Sequence, residues 1–157
     1  MGKYYYTHEQ FIADMKTFYN RVDKKELSMI DSIVALSRGG LVIAQYLGYM
    51  YGIRDIITVP VIGYDETTDS GERDVLHVKE INKMVKDKNI LIVDDLIDSG
   101  NSILAVLENI TWMKSFQIFT IFANEGKAHF ALRKKPDAWI VLPWDSEIEE
   151  ITGEPNG

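Results

Sequence analysis

The sequence contains no cysteine and only three histidines, and each shortage excludes a class of site. Without cysteine the chain has no disulfides and no cysteine-ligated metal. The histidines (His8, His77 and His129) lie far apart and form no pair at helical spacing, which argues against a zinc site. With 157 residues, 46% of them hydrophobic, the composition is that of an ordinary globular protein. We therefore expect one domain, residues 1–157.

Basic residues are also scarce relative to acidic ones. There are 17 Lys and Arg against 24 Asp and Glu, and the net charge of −7 opposes non-specific binding to nucleic acid or to an anionic membrane. No apolar run approaches the roughly 20 residues of a membrane-spanning helix. The N-terminal segment has no apolar signal core. We expect a cytoplasmic protein that has neither nucleic acid nor a membrane as a partner.

Short aliphatic runs alternate with amphipathic segments along the chain, and this pattern predicts an α/β fold. Two strand–loop–helix successions with aliphatic strands indicate a central, mostly parallel, Rossmann-like sheet flanked by helices. Pro60 places the end of its strand at an edge, or the whole strand outside the sheet centre, because proline donates no ladder hydrogen bond. The predicted strands are residues 32–36, 56–62, 75–78, 89–93, 116–122 and 138–142. The predicted helices are 8–22 with Thr7 as N-cap, 41–51 closed by Gly52, a short helix or turn at 79–88, and 102–113.

Three other segments are predicted to be irregular. Residues 63–73 are polar and turn-rich, so we expect a mobile loop. Residues 133–136 are interpreted as a basic turn, and residues 150–157 as a flexible acidic tail. In the helix at 102–113, Leu104 is expected to face inward with the other aliphatic side chains.

The segment 90–102, ILIVDDLIDSGNS, is the most informative part of the sequence. Four aliphatic residues form a buried strand that ends in Asp94 and Asp95. Two adjacent carboxylates repel each other unless a cation or a polyhydroxylic group lies against them. A ribose diol or a magnesium ion with its waters would satisfy both. In parallel sheets, ligands gather at this end of the strands.

The residues that follow predict a phosphate cradle. Asp98, Ser99, Gly100, Asn101 and Ser102 lead into a helix, whose first amides and dipole attract anions. The alternative for these five residues alone is an acidic turn with an ordinary helix cap. The preceding strand and acid pair favour the phosphate site.

A second strand–turn–helix segment contains Ser37, Arg38, Gly39 and Gly40. Arg38 offers a fork of donors for phosphate oxygens, and the glycines permit close approach of backbone amides. Taken alone, such a segment is more often a plain turn.

Together these segments resemble type I phosphoribosyltransferases, which bind 5-phosphoribosyl-1-pyrophosphate. Residues 90–102 resemble the family signature, with Ser99 and Ser102 where threonine is usual. Residues 36–41 resemble the pyrophosphate loop of the short bacterial xanthine-guanine and hypoxanthine enzymes. The resemblance implies this family's fold with a small hood region around Tyr64–Asp65, bound Mg²⁺, a homodimer or homotetramer, and a strained or cis peptide between Ser37 and Arg38.

The segment 139–145, WIVLPWD, resembles the purine-contacting segment of the same enzymes. The resemblance implies that Trp139 stacks on the base and that Ile140 contacts it through its backbone. It also implies that Asp145 helps Asp94 and Asp95 to place magnesium. The alternative for Trp139 is a core aromatic residue.

Two positions depart from the pattern of these enzymes. Asn124 occupies the position of a lysine that hydrogen-bonds the purine 6-oxygen, and Lys127 is a candidate replacement. Val141 occupies the position of an acid that can interact with the guanine 2-amino group. Both departures bear on which base is preferred.

The hypothesis is transfer of a phosphoribosyl group to a 6-oxopurine in purine salvage. Asp98 would hold a proton near the purine N7, and the loop 63–73 would close over the site. The alternatives are a phosphoribosyltransferase for a different base, a non-catalytic regulator that binds phosphoribosyl pyrophosphate, and a magnesium phosphohydrolase. A magnesium phosphohydrolase would normally have an Asp-x-Asp arrangement after its first strand, and this sequence has none there.

Overall fold

The structure is a computed structural model that describes residues 2–63 and 72–155. The expected hood residues Tyr64–Asp65 and most of the loop 63–73 lie outside the described residues. In the described ranges no helix is long and apolar enough to cross a bilayer. The elements, in chain order, are β1 (Lys3–Tyr5), α1 (His8–Arg21), α2 (Lys24–Leu27), β2 (Ser32–Ser37), α3 (Leu41–Tyr51), β3 (Ile56–Gly63), β4 (Arg73–Val75), α4 (Val78–Val85), β5 (Asn89–Val93), α5 (Asn101–Asn109), β6 (Ser115–Ala123), β7 (Phe130–Lys134), β8 (Trp139–Val141) and α6 (Pro143–Thr152).

These elements divide into two compact units. The larger unit is Asp23–Lys135, and the smaller unit combines Met1–Val22 with Pro136–Gly157. The expectation of a single domain stays a prediction.

The larger unit contains the predicted sheet. Its described strands follow the order β4-β3-β2-β5-β6-β7. Among them only the β3–β4 pairing is antiparallel. The α/β class with a mostly parallel sheet is therefore confirmed, and Pro60 lies on β3, one strand from the edge, as predicted.

The two central strands, β2 and β5, are aliphatic and fully covered. Side chains at Ile33–Leu36 and Ile90–Val93 are at most 2% exposed, as expected for strands with both faces covered. The two strands are parallel, with Ala35 opposite Val93. Their carboxyl ends therefore lie side by side, and the two loops that leave them are neighbours.

Helix α5 ends four residues earlier than predicted, because Asn82 organises the chain beyond it. The side chain of Asn82 is buried and donates to the carbonyl oxygen of Asn109 at 3.0 Å. Its own oxygen accepts the N–H groups of Thr111 and Trp112 at 2.9 and 3.1 Å. These bonds satisfy backbone groups that would otherwise need further helix.

The predicted inward orientation of Leu104 is wrong. Its side chain is 54% exposed, whereas Ala105 is buried. The buried face of the helix is therefore narrower than the number of aliphatic residues in its sequence would suggest.

The prediction of a basic turn at residues 133–136 is wrong for the first two of these residues. Arg133 and Lys134 belong to β7, an edge strand parallel to β6 with Ala123 opposite Lys134. Charged side chains are typical of an edge strand, because they discourage pairing with other chains.

The smaller unit holds a two-stranded parallel sheet of β1 and β8. Strand β1 was not predicted, since three residues carry no pattern. Thr7 caps α1 through the predicted capping box with Gln10. The ring of Phe11 packs edge-on against Trp144 at 5.5 Å. Helix α6 was not predicted either, and it extends through Thr152 into the segment expected to be flexible.

Candidate active site

The loop between β2 and α3 carries the predicted arginine and glycines in a tight turn. The peptide bond between Ser37 and Arg38 is cis, as the resemblance implied. Gly40 donates its N–H to the carbonyl oxygen of Leu36 at 2.8 Å, and Leu41 donates to that of Arg38 at 3.1 Å. The turn thus delivers Arg38 at the carboxyl end of a central strand.

Both glycines of this loop are required by their contact with the end of β5. A Cβ on Gly40 would lie 2.2 Å from the carbonyl oxygen of Val93. A Cβ on Gly39 would lie 2.7 Å from the carboxylate carbon of Asp95. The glycines therefore allow the two loops to meet, which is a packing reason that sequence analysis did not supply.

Asp94 and Asp95 form the predicted acid pair at the end of β5. Asp95 donates its N–H to Asp94 Oδ1 at 2.9 Å, and Leu96 donates its N–H to Asp95 Oδ1 at 2.7 Å. Burial, followed by the charge of Asp95, raises the pKa of Asp94 well above its usual range. A ligand that brings hydroxyl donors or positive charge would oppose both causes.

The turn after the acid pair opens into a cavity of about 240 Å³ lined by residues 94–103 and by Arg73. Gly100 has a φ of 85°, which favours glycine, and α5 begins at the next residue. Asn101 donates its N–H to Ser99 Oγ at 3.3 Å. The cavity thus combines acidic oxygens with the N-terminus of a helix, as a phosphorylated sugar requires.

Two basic residues of this neighbourhood were not among the predicted site residues, although Arg73 ends the loop 63–73 that was expected to close over the site. Arg73 lines the cavity from β4. The Nζ atom of Lys135 lies 3.6 Å from Asp98 Oδ1, with the lysine side chain 17% exposed and the aspartate 76% exposed. Their sequence neighbourhoods carry no motif, and strand pairing places both residues here.

Asn124 follows β6 directly and is exposed. Its carbonyl oxygen accepts the N–H of Lys127 at 3.1 Å, which closes the turn. The Lys127 side chain is also exposed. No described contact joins either side chain to Asp98, so the base-contacting roles of both stay predictions.

The remaining predicted residues belong to the smaller unit. Trp139 is 52% exposed, and Ile140 and Val141 are buried. Asp145 Oδ2 accepts the N–H of Leu142 at 3.0 Å, at the start of α6. Burial is the main cause that raises the pKa of Asp145, the Leu142 N–H opposes the rise, and the charge of Glu149 adds to it.

The acid pair suits a magnesium ion that binds together with a phosphorylated substrate. No group of three or more potential ligands gathers at one point in the described residues. Magnesium commonly uses one or two carboxylates and completes its shell with waters and substrate phosphates. Asp94 and Asp95 could supply such carboxylates in the cavity at the N-terminus of α5, whereas Asp145 belongs to the other unit.

Comparisons with known proteins agree with this geometry. Residues 2–145 match the family described as "Phosphoribosyl transferase domain". The chain is 34% identical over 124 residues to the xanthine-guanine phosphoribosyltransferase of Idiomarina loihiensis, a match covering 76% of this chain and 73% of that protein.

Two solved structures share the fold. The Helicobacter pylori xanthine-guanine-hypoxanthine phosphoribosyltransferase matches at a TM-score of 0.73 and 23% identity, covering 97% of this chain and 98% of that one. A purine phosphoribosyltransferase from Pyrococcus horikoshii matches at a TM-score of 0.73 and 23% identity, covering 92% and 95%. Since the family match spans most of the residues and includes both phosphate-type loops, the chain belongs to the phosphoribosyltransferase family.

Proposed function

We propose that this protein transfers the phosphoribosyl group of 5-phosphoribosyl-1-pyrophosphate to a 6-oxopurine base: hypoxanthine, guanine or xanthine. The products are a nucleoside 5′-monophosphate and pyrophosphate, so the reaction serves purine salvage. One observation carries the proposal: Gly39 packs against the Asp95 carboxylate, which joins the arginine loop to the acid pair and phosphate cradle.

The 5′-phosphate is assigned to the N-terminus of α5. Its first amides and its dipole attract an anion, and the hydroxyls of Ser99 and Ser102 add donors. The adjacent carboxylates of Asp94 and Asp95 accept hydrogen bonds from the two ribose hydroxyls. This pairing offsets the repulsion between the carboxylates without neutralising them.

The pyrophosphate is assigned to the loop of Ser37, Arg38, Gly39 and Gly40. In the reaction, a ring nitrogen of the base bonds to the ribose C1 while the bond from C1 to the pyrophosphate oxygen breaks. Positive charge develops on the sugar, as in glycoside hydrolysis, and negative charge develops on the leaving group. Arg38 stabilises that negative charge through its fork of donors.

Asp98 is assigned the proton at the purine N7. Its exposed carboxylate lies between the acid pair and the phosphate cradle in the sequence and lines the same cavity. Accepting this proton leaves electron density on the attacking nitrogen of the base.

The phosphoribosyltransferase family is generally magnesium-dependent, and Asp94 and Asp95 are the residues that would hold the ion here. When bound, magnesium would add positive charge beside the pyrophosphate. Asp145 is proposed to help place this ion. Asp145→Asn tests that assignment, because it should raise the magnesium concentration needed for half-maximal activity.

The assignments to the base come from the resemblance. Trp139 is proposed to stack on the base and Ile140 to contact it through its backbone, while Asn124 is proposed to donate to its 6-oxygen. Assembly as a homodimer or homotetramer belongs to the same proposal and is checked by light scattering.

The direct test is pyrophosphate release from phosphoribosyl pyrophosphate and magnesium, with and without hypoxanthine. We expect release only with the base, in equal amounts with the nucleoside monophosphate. Donor binding without turnover for any base would identify a regulator instead, and release of inorganic phosphate without base would identify a hydrolase.

A further inference from the structure

Lys135 lies at the end of β7, next to the end of β6. The strands are parallel with Ala123 opposite Lys134, so Lys135 is the next residue in register beside Asn124. The backbone confirms this placement, because Lys135 donates its N–H to the carbonyl oxygen of Ala123 at 3.2 Å. The lysine therefore emerges at the carboxyl edge of the sheet, where the cavity lies.

The side chain of Lys135 is held against the site. The side chain as a whole is largely buried, at 17% exposure, and its ammonium lies 3.6 Å from Asp98 Oδ1. Asp98 is 76% exposed, so its carboxylate can accept a further hydrogen bond from a substrate. A cationic donor and an anionic acceptor thus lie side by side, and the acceptor lines the cavity.

This pair matches one edge of a purine. The N7 atom and the substituent on C6 are neighbours on the ring, and a 6-oxo group is an acceptor whereas a 6-amino group is a donor. If Asp98 takes the N7 proton, as proposed above, its neighbour faces the substituent on C6. An ammonium has three donors and no acceptor, so it pairs with an oxo group and rejects an amino group.

We propose that Lys135 is a further specificity-determining residue for the 6-position of the base, donating to the second lone pair of the 6-oxygen beside Asn124 while Asp98 holds the N7 proton. The proposal rests on the proposed function and deepens it. It also assigns the cationic contact to Lys135, directly after β7, in place of Lys127.

The test compares hypoxanthine with unsubstituted purine, which lacks the 6-oxygen, for the wild type and for Lys135→Met. Loss of a hydrogen bond to a charged group should lower kcat/KM for hypoxanthine roughly 10- to 100-fold, mainly through the KM of the base. The value for unsubstituted purine should change little, so the preference for the oxo base should collapse. A lysine with a merely structural role would lower both values alike, and that result would overturn the proposal.

Matched variants separate the other outcomes. Lys134→Met removes the adjacent exposed lysine and should leave both bases unaffected, while Lys127→Met should not narrow the preference. Lys135→Gln keeps half of the aliphatic stem and a neutral NH₂ donor group, and it should retain part of the preference if Lys135→Met is too unstable to assay. Absence of turnover by the wild type would contradict the proposed function and this proposal together, whereas turnover with an unchanged preference in both Lys135 variants would overturn this proposal alone.

Discussion

At the scale of single residues, the site depends on two glycines as much as on its charged side chains. Gly39 and Gly40 leave room for the carboxylate of Asp95 and the carbonyl oxygen of Val93. The obstacle differs in kind, because a carboxylate can rotate away whereas a strand carbonyl cannot. Substitution at the two glycines should therefore have different consequences.

Gly39→Ala should fold normally but misplace the Asp95 carboxylate, which its Cβ would approach to 2.7 Å. A small displacement of a positioning group can cost on the order of 100-fold, so we expect a comparable fall in kcat/KM for the donor with little change in Tm. Gly2→Ala is the matched control, because a Cβ there meets nothing within 4 Å. Normal kinetics for Gly39→Ala would show that the two loops act independently.

Gly40→Ala should lower Tm instead, because its Cβ would lie 2.2 Å from a backbone oxygen of β5. Overpacking of this kind typically costs about 1–3 kcal/mol. Urea denaturation measures the loss, and stability equal to that of the wild type would contradict the packing between the loops.

Asp98→Asn should retain the fold and donor binding while turnover falls by about 10²–10⁴-fold, the usual contribution of a general acid–base group. Single-turnover kinetics at saturating donor and base measure this loss. Unchanged turnover with every base would remove Asp98 from the mechanism.

At the scale of elements, the pairing of strands brings residues to the site whose position the local sequence pattern does not predict. The strand–turn–helix segments at Ser37 and Asp94 were predictable because their residues are contiguous. Arg73 and Lys135 were not, because each reaches the site only through a neighbouring strand. The end of α5 was missed for the same reason, since Asn82 lies 27 residues from the carbonyl group it binds.

Strand β2 begins at a polar anchor that makes stability depend on pH. Ser32 is fully buried and its hydroxyl donates to Asp55 Oδ2, which also accepts from Lys88 Nζ at 2.9 Å. The Ser32 hydrogen bond is the main cause that lowers the pKa of Asp55; burial opposes it and Lys88 adds to it. A lowered pKa in the folded state means that the stabilisation is complete above the unfolded pKa and is lost as pH falls through the folded pKa.

Ser32→Ala should therefore destabilise the fold by about 1 kcal/mol at neutral pH, the usual net value of one hydrogen bond. The difference from the wild type should shrink as the pH falls through the folded pKa of Asp55. Urea denaturation over a pH series measures this. A difference that stays constant into acid would contradict the assignment to the Asp55 carboxylate.

At the scale of the whole molecule, the sequence predicted the α/β class, the two strand–turn–helix segments and the family, because these follow from aliphatic periodicity and from two contiguous motifs. Within the smaller unit it predicted α1 and β8, but it did not predict that β1 pairs with β8, because β1 has only three residues and its partner lies at the far end of the chain. Nor did it predict that Lys135 lies beside Asp98, because this lysine follows β7 and is 37 residues from Asp98 in the sequence.

Donor binding should raise Tm when magnesium is present, by a free energy of about 2.7 kcal/mol at a hundredfold excess over Kd. Arg38→Ala should reduce the shift caused by phosphoribosyl pyrophosphate more than that caused by the nucleoside monophosphate, which lacks the pyrophosphate. Thermal unfolding with each ligand makes the comparison. Equal reductions for the two ligands would place Arg38 outside the pyrophosphate site.

The measurement that tests the central claim most directly is pyrophosphate release across hypoxanthine, guanine, xanthine, adenine and uracil. Val141 offers nothing to a 2-amino group, so hypoxanthine should be used at least as well as guanine. A site built to hydrogen-bond an oxo group strongly rejects an analogue without it, so adenine, which carries an amino group at the 6-position, should fail. Adenine or uracil as the best substrate, with hypoxanthine inert, would contradict the 6-oxopurine assignment.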